Sequence, residues 1–438
     1  MCVTIIRIDR LRLVFERPGP SSRFRFVSDT TVKIEQLANG LTIVAEPMPA
    51  VRSVAMTLMI PAGAVHDPAK RLGRSAMLAE WLPRGAGSRD SAELLEELDA
   101  LGVSHQQSAS VTHLSVSAAM LGTSLEPTVE LFADMIRRPH LGEDSLEPIQ
   151  ALALQALQGL EDDPATLALT HLRRHYFGDV WGRHAGGTEK GIEAMTIADI
   201  RDAHRSLIQP DNAILAVAGS FDFNRLRDKV IAEFGDWEKK SVAMPPATRP
   251  ARSVTHVPKE TNQCQITMAF PSVDINQPDY YKARASLAIL GGYSSARLFT
   301  EVREKRGLCY SVYAGYEAFY RQAAAVVYAG TSADRAQETL DVTLEELGKI
   351  RKNGVGTEEM EMMKACLVSG LVMQQESSLA RSGSLAADYF HLGRVRSLAE
   401  ISQALNSLSS KDVSEYTATL EMDKMTVLTL GPKPLKIR

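Results

Sequence analysis

Arg303 and Tyr310 are the two residues whose types and spacing suggest chemistry. They lie in the segment 291–316, GGYSSARLFTEVREKRGLCYSVYAGY, which predicts an amphipathic helix ending at Gly307 and a strand that begins at Leu308. Because this reversal is tight, we expect the guanidinium and the phenol at the same edge of a domain. Their donors could hold a peptide carbonyl or the oxyanion that forms from it. The competing interpretation is an ordinary solvated helix end, since the helix dipole favours cations in the last turn.

The histidines and cysteines form no recognisable metal site. None of the ten histidines lies in an HxxEH or HExxH sequence. His171 and His175 are four residues apart on a predicted helix and could share a metal ion, but no carboxylate base is adjacent in sequence, and an ordinary polar helix face explains them more simply. The four cysteines form no CxxC pair, as is typical of reduced thiols in a reducing compartment: Cys2, Cys264, Cys309 and Cys366.

Composition narrows the classes of partner. A net charge of −4 gives no reason to expect a nucleic-acid partner. No apolar run approaches the roughly 18 residues that a spanning helix needs, so we expect no membrane insertion and a cytoplasmic protein. Residues 1–30 are rich in arginine, and we expect a poorly ordered N-terminal extension there. The alternative is a targeting sequence, which would make the protein organellar or periplasmic.

The order of predicted elements occurs twice along the chain. In the first half, Asn39-Gly40 joins two alternating runs into a hairpin, and a strand, a buried helix at 73–82, further helices and paired strands follow. The same order returns after 238–252, a segment with three prolines and little periodicity that we interpret as a linker. Two copies of one α+β unit, at 31–237 and 253–438, explain this repeat better than three unrelated domains.

Several separate segments resemble the pitrilysin and mitochondrial processing peptidase family of zinc peptidases. The resemblance runs from about residue 32 to 432, and the order and spacing of the segments make it specific. The segments are LANGLTIV at 37–44, PRGAGS at 83–88, EDDP at 161–164, GGTEKGI at 186–192, PDNAILAVAGSFD at 210–222 and SSARLFTEVREKRGLCYSVYA at 294–314. The resemblance implies an α+β fold of two homologous tandem domains, each a mostly antiparallel sheet packed by helices, facing each other across a cleft.

The family's zinc motif is degenerate in this chain. The resemblance implies an inverted motif, His-x-x-Glu-His, in which both histidines bind zinc and the glutamate activates water. At the matching positions stand Ala76 for the first histidine, Ala79 for the glutamate and Glu80 for the second histidine. The further metal-binding glutamate of the family falls at about Ala156. Because catalytic zinc needs three protein ligands, we expect no zinc bound by this chain.

Arg303 and Tyr310 match a different feature of the family. The resemblance implies that an arginine and a tyrosine at this spacing in the second domain, the R/Y pair, grip the substrate backbone across the cleft from the zinc. The leading hypothesis is therefore a zinc-free, substrate-binding or regulatory subunit of a heterodimeric zinc metallopeptidase, in which a homologous HxxEH-bearing partner carries the zinc. The alternative is a catalytically inert structural or peptide-binding protein of the same fold, similar to core subunits of respiratory assemblies.

Unfolded peptides are the expected substrates. An extended peptide can be bound as an added strand at an exposed sheet edge, and the alternating run 308–316 is one candidate for that edge. The same run is equally compatible with an interior strand.

Overall fold

The computed structural model describes residues 32–247 and 252–437, together with the backbone of two short N-terminal strands. These two strands, β1 (Ile5–Ile8) and β2 (Leu11–Val14), pair antiparallel. The prediction of a poorly ordered extension at 1–30 otherwise falls on residues outside the described part, and so does a small piece of the predicted linker. In the described residues, no helix is long and apolar enough to cross a membrane.

Residues 32–247 form one six-stranded sheet and eight α-helices. The strands are β3 (Lys33–Gln36), β4 (Thr42–Pro47), β5 (Ser53–Ile60), β6 (Ser104–Ala109), β7 (Leu114–Leu121) and β8 (Ile214–Gly219). The helices are α1 (Arg74–Trp81), α2 (Ser91–Ala100), α3 (Leu125–Arg137), α4 (Leu146–Glu161), α5 (Pro164–Trp181), α6 (Glu189–Glu193), α7 (Ile197–Leu207) and α8 (Phe223–Phe234). The strand order is β3-β4-β8-β5-β7-β6, and all neighbours are antiparallel except β4 and β8.

Residues 252–437 form a five-stranded sheet and six α-helices. The strands are β9 (Val254–Pro258), β10 (Gln263–Pro271), β11 (Cys309–Phe319), β12 (Gln322–Ser332) and β13 (Thr426–Gly431). The helices are α9 (Tyr280–Gly291), α10 (Ala336–Asn353), α11 (Thr357–Gln375), α12 (Ser378–Leu392), α13 (Leu398–Ser407) and α14 (Ser410–Ala418). The strand order is β11-β12-β10-β13-β9, and only β13 and β9 run parallel.

The two sheets have the same topology. Strands β4, β8, β5, β7 and β6 of the first sheet correspond in order and direction to β9, β13, β10, β12 and β11 of the second. The predicted fold class is confirmed: the chain is α+β, with two tandem units that each contain a mostly antiparallel sheet packed by helices.

The Asn39-Gly40 turn shows how local sequence sets the start of the first sheet. Gly40 has a φ of +96°, and a Cβ there would lie 2.3 Å from Oδ1 of Asp211. The Asn39 amide donates to the Phe234 carbonyl at 2.7 Å and its oxygen accepts from the Leu41 N–H at 3.1 Å. The turn therefore both reverses the chain and attaches the hairpin to the end of α8.

Each sheet packs one face on its own helices and the other face on a helix from the other half. In the first half, α1, α2, α3, α7 and α8 bury one face of the sheet, and in the second half α9, α10 and α14 do the same. The remaining face of the first sheet packs on α12, through Leu385 and Ala386. The remaining face of the second sheet packs on α5, through Leu172, Tyr176 and Trp181 among others. The two halves thus exchange equivalent helices.

Polar contacts fix the exchanged helix α12 on the first sheet. Arg381 and Glu46 form a buried ion pair, with Nε of the arginine 2.7 Å from Oε2 of the glutamate. At the next residue of α12, the hydroxyls of Ser382 and Thr57 lie 2.9 Å apart. Because a buried charge without its partner is costly, this pair specifies where α12 docks.

Substitution Arg381→Met tests this docking. The substitution removes the guanidinium that pairs with the buried Glu46 carboxylate, and we expect a loss of about 3–5 kcal/mol in the free energy of unfolding, measured by urea denaturation. The double variant Glu46→Leu with Arg381→Met should recover most of that loss. As a control, Arg394→Met removes an exposed ion pair with Glu400 and should cost about 1 kcal/mol or less. Equal losses in Arg381→Met and Arg394→Met would contradict the assignment.

Three histidines lie where the halves meet: His113 is buried, and His66 and His391 are half-buried. Burial lowers the pKa of His113 to about 3, and the nearby His391 and His66 act in the same direction. Burial also lowers the pKa of His66 to about 4 and lowers that of His391. The His113 ring packs edge-on against Phe390 of α12, with 4.2 Å between ring centroids. All three imidazoles are therefore neutral in the native protein at neutral pH.

Acidification should weaken the protein because these histidines bind protons more readily when it unfolds. Their native pKa values lie below the unfolded value near 6.5, so the stability they contribute is complete above that pH and is lost as the pH falls toward 4. For His113 alone we expect a loss of about 2 kcal/mol between pH 7.5 and pH 5. Urea denaturation at both pH values should show a smaller loss for His113→Leu, whereas the exposed control His175→Leu should behave as wild type. The same pH dependence in all three proteins would refute this origin.

Candidate functional site

The helical segment before Gly307 contains a π-helical turn. The turn spans Phe299–Glu304, and its Val302 side chain is buried in the core of the second half. Just before it, Arg297 forms a two-pronged ion pair with Glu359 of α11, at 2.6 and 2.8 Å. Single π-helical turns occur frequently at functional sites. The segment that carries Arg303 is therefore both unusual in geometry and firmly attached.

Gly307 ends this segment as its sequence predicts. Its φ is +57°, in the left-handed region. The N–H of Gly307 donates to the carbonyl of Arg303, and the N–H of Leu308 donates to the carbonyl of Val302, both at 2.9 Å. The Arg335 guanidinium also donates to the Gly307 carbonyl at 2.9 Å. The chain consequently reverses within two residues and enters β11.

Two of the three cations near the end of this segment are neutralised by one carboxylate. Glu301 accepts from Lys305 at 2.6 Å and from Arg306 at 2.7 Å. These bonds lower the pKa of Glu301. The charges of Lys305 and Arg306 therefore belong to a local surface network.

Arg303 lies outside that network. Its guanidinium lies over the Phe299 ring, 4.7 Å from the ring centroid, and its nearest described carboxylate, on Glu304, is 3.9 Å away. The side chain is 44% exposed. Stacking on an aromatic ring orients a guanidinium without using its N–H donors. Arg303 can thus offer several donors to a ligand.

Tyr310 is presented by a bulge in an edge strand. The strand β11 lies at the edge of its sheet, and Cys309 pairs with Thr331 while Ser311 pairs with Gly330, so Tyr310 is the extra residue. As a result Tyr310 and Ser311 are both exposed, although neighbours in a regular strand point to opposite faces. The Tyr310 side chain is 68% exposed.

The turn brings Arg303 close to the beginning of β11. Burial raises the pKa of the Cys309 thiol to about 11, and the Arg303 charge acts in the opposite direction. Cys309 immediately precedes Tyr310, so the guanidinium and the phenol are presented at the same end of the second sheet. The role that the sequence predicts for the pair remains a prediction.

The sheet surface beside Tyr310 carries a group of residues that the sequence analysis did not single out. Tyr313 on β11 stacks on Tyr328 of β12, with 5.2 Å between ring centroids. The Tyr328 hydroxyl donates to the Gln265 side chain at 2.7 Å. Burial raises the pKa of Tyr328 to about 12, so its phenol is neutral at physiological pH. The alternation in CYSVYAGY predicted the strand, but the cross-strand partner lies in a different part of the sequence.

The helix that should carry the zinc motif is intact, but its donor positions are not. Within α1, Ala79 is fully buried in the first core, Ala76 is half-buried and Glu80 is exposed. The start of α1 is held by Asp67, which accepts from the N–H groups of Gly73 and Ser75 at 3.0 Å each. The scaffold of the motif is thus well formed, and of the three motif positions only Glu80 bears a possible metal ligand.

The position of the family's further metal-binding glutamate, Ala156, does not restore a zinc site. Ala156 lies on the exposed side of α4, a helix that packs against α1. Within the described residues, no group of three or more His, Cys, Asp or Glu side chains is placed to hold a metal ion. His171 and His175 on α5 therefore belong to no such group. Zinc in a peptidase needs three such ligands, and the residues present do not fit it.

A separate cavity of about 570 Å³ opens between α4, α5 and the loop at 182–189. Leu154, Leu157, His171 and His184 are among the residues that line it. Burial lowers the pKa of both histidines. Arg303, Tyr310 and the degenerate zinc positions do not line this cavity, so it is distinct from the candidate site.

The described residues therefore define a tandem α+β protein in which Arg303 and Tyr310 are exposed near one end of the second sheet, and in which no group of residues in the described part is placed to hold a metal ion. Two family models match consecutive segments of it. One, described as insulinase (peptidase family M16), matches residues 42–186, and the other, described as peptidase M16 inactive domain, matches residues 194–367. The chain belongs to peptidase family M16, the pitrilysin family.

Relatives and solved structures agree with this assignment. An uncharacterized zinc protease of Bacillus subtilis is 25% identical over 400 residues, covering 90% of this chain and 97% of the relative. One of Mycobacterium tuberculosis is 26% identical over 403 residues, covering 90% and 92%. The fold is similar to that of a peptidase M16 inactive domain from Pseudomonas fluorescens, with a TM-score of 0.85, 22% identity and coverage of 93% and 99%. It also resembles a chain of Complex III2 from Candida albicans, with a TM-score of 0.80, 20% identity and coverage of 92% and 96%.

The missing donors lead to a prediction about zinc. The purified chain should contain less than one equivalent of zinc and should show no peptidase activity alone, measured by elemental analysis and with a quenched fluorescent peptide. A variant combining Ala76→His, Glu80→His and Ala156→Glu should bind zinc more tightly, because those three positions would again carry ligands. Tight stoichiometric zinc with activity in the unmodified chain would overturn the assignment of these positions.

Proposed function

We propose that this chain is the zinc-free, substrate-binding or regulatory subunit of a heterodimeric zinc metallopeptidase that degrades or processes peptides. The observation that carries the proposal is the contrast between the two halves. In the second half, Arg303 and Tyr310 are exposed at one end of the sheet, and Arg303 has no described carboxylate within hydrogen-bonding distance. In the first half, the helices that match the family's zinc site are present, but of the matching positions only Glu80 bears a possible metal ligand. A homologous subunit with an intact HxxEH motif would supply the zinc ligands and the glutamate that activates water.

Arg303 and Tyr310 would act on the substrate carbonyl in the partner's active site. The guanidinium offers fixed donors and a positive charge, and the phenol offers one O–H donor. The hydrogen bonds from both groups become stronger as negative charge develops on the carbonyl oxygen. The two groups would therefore stabilise the transition state more than the bound substrate. Zinc and the attacking water would come from the partner, and no cofactor is required from this chain.

The position of β11 supports unfolded peptides as substrates. An edge strand has backbone N–H and C=O groups that face outward, and an extended peptide can pair with them as an added strand. The bulge at Tyr310 interrupts this edge, and regular pairing resumes at Ser311. A peptide held along Ser311–Phe319 would therefore reach Tyr310 at the end of the paired segment.

A catalytically inert structural or peptide-binding protein is the second candidate. The fold likeness to a chain of Complex III2 favours it, because that chain belongs to a large assembly. The two candidates differ in what Arg303 and Tyr310 do. In an inert protein they would have no effect on any peptidase activity.

Mixing experiments with site variants distinguish the candidates. Co-purified with an HxxEH-bearing homologue from the same source, the chain should form a stable complex that cleaves unfolded peptides. Arg303→Ala or Tyr310→Phe should lower kcat by roughly a hundredfold or more, because each removes a transition-state donor, while leaving complex formation unchanged in size-exclusion chromatography. Arg306→Ala is the matched control, since that arginine is already paired with Glu301. Full activity in both site variants would favour the inert protein.

A further inference from the structure

A rigid aromatic surface lies three residues beyond Tyr310 on the same edge strand. Tyr313 and Tyr328 are directly opposite each other in the pairing of β11 with β12, and their rings stack with an interplanar angle of 27°. Tyr328 is 7% exposed, whereas Tyr313 is 38% exposed. One flank of the Tyr313 ring is thus covered by Tyr328, and a substantial part of the ring remains open.

Buried contacts hold Tyr328 in place behind Tyr313. Its hydroxyl donates to Oε1 of Gln265, a side chain that is itself buried, and Nε2 of Gln265 donates to Gln263 at 3.2 Å. The absence of a side chain at Gly330 makes room for this bond. A Cβ at Gly330 would lie 2.6 Å from the Tyr328 hydroxyl and 3.1 Å from Oε1 of Gln265. The surface is therefore preorganised rather than formed by two mobile rings.

The surface faces the first half of the chain. Glu317, four residues further along β11, lies on the same face of the strand as Tyr313. Its carboxylate accepts a hydrogen bond from Arg173 of the exchanged helix α5 at 2.6 Å. Arg173 also acts on Tyr313, since its charge opposes the rise that burial causes in the pKa of that phenol. Helix α5 thus ends the open surface on one side, and Tyr310 lies on the other.

We propose that Tyr313, backed by Tyr328, is a subsite for an aromatic or large apolar side chain of a peptide bound along β11. The inference rests on the proposed function for the identity of the ligand, an extended peptide. In a sheet, the residue of an added strand opposite Tyr313 points to the same face, with its Cβ about 5 Å from that of the tyrosine. This peptide residue would be the third member of a cross-strand row that begins with Tyr328 and Tyr313. Aromatic pairs of this kind are among the favourable cross-strand pairs.

The subsite lies at a defined distance from the carbonyl that Arg303 and Tyr310 would hold. Tyr313 is three residues from Tyr310, which corresponds to roughly 10 Å along a strand. An extended peptide covers that distance with about three residues. The bound side chain therefore belongs to a residue about three positions from the scissile bond. Tyr313 contacts the substrate directly, whereas Tyr328 and Gly330 act as positioning residues.

Peptide binding to the full chain alone tests the subsite. The probes are two fluorescein-labelled peptides of Thr, Ser and Lys that differ only in a central Phe or Ala, and fluorescence anisotropy gives their Kd values. The wild-type chain should bind the Phe peptide roughly two- to fivefold more tightly. Tyr313→Ala should abolish this preference, and Tyr313→Phe should retain it. Leu121→Ala, which removes an exposed apolar side chain from the first sheet, is the control and should leave the preference unchanged.

A variant at Gly330, behind the Tyr313–Tyr328 surface, distinguishes residues that position Tyr313 from residues that contact the peptide. Gly330→Ala should reduce the preference for Phe because the added methyl displaces the Tyr328 hydroxyl, although position 330 contacts no peptide side chain in this geometry. Far-ultraviolet circular dichroism should show that the variant is folded. No measurable binding of either peptide to the wild-type chain, or an unchanged preference in Tyr313→Ala, would overturn the subsite.

Cleavage by the complex distinguishes this inference from the proposed function. With the HxxEH-bearing partner present, mass spectrometry should place the main cut about three residues from the Phe, and Tyr313→Ala should scatter the cuts. Cleavage without any fixed relation to the Phe would refute the subsite while leaving the proposed function intact. A Phe preference in binding together with absence of cleavage would support the subsite and refute the peptidase role.

Discussion

The structure depends on covering the second face of each sheet. Both faces of each sheet carry apolar residues, and the helices of one half bury only one of them. The exchanged helices α5 and α12 bury the other face, and the Arg381–Glu46 pair specifies the position of α12 by the cost of leaving either charge alone. Neither half is therefore complete without a helix from the other. This mutual requirement holds the two halves in one relative arrangement.

The same arrangement explains how the zinc ligands can be absent without harm to the fold. Ala76 is half-buried, and Glu80 and Ala156 are exposed, so these positions contribute little to the core. Ala79 is buried, but a small apolar side chain suits that place better than an unpaired carboxylate would. Alanine at these positions leaves α1 and α4 packed as structural helices.

Much of the fold could be predicted because its signals are local. The Asn39-Gly40 turn, the Gly307 helix end and the alternating strands follow from backbone preferences within a few residues. The Arg303 and Tyr310 positions follow from spacing. Features set by distant partners were not predictable. The sequence of α5 predicts a helix, but nothing in it indicates that the helix packs on the sheet of the other half. The bulge at Tyr310, the π-helical turn and the Tyr313–Tyr328 pair likewise depend on the register with β12 and on packing around the turn. Helix α8 was not predicted, although its buried residues Leu226, Val230 and Phe234 recur at helical spacing.

The exchange of helices has a consequence for folding during synthesis on the ribosome. The apolar face formed by Val44, Ile214 and Ala216 is complete once the first half has been synthesised, but its cover begins only at Ser378. At a typical synthesis rate this leaves the face uncovered for roughly ten to thirty seconds. Most tandem domains can fold one after the other as they emerge, whereas this chain must wait for its second half. A nascent chain of this design therefore passes through a long interval in which it depends on chaperones or on slow association to stay soluble.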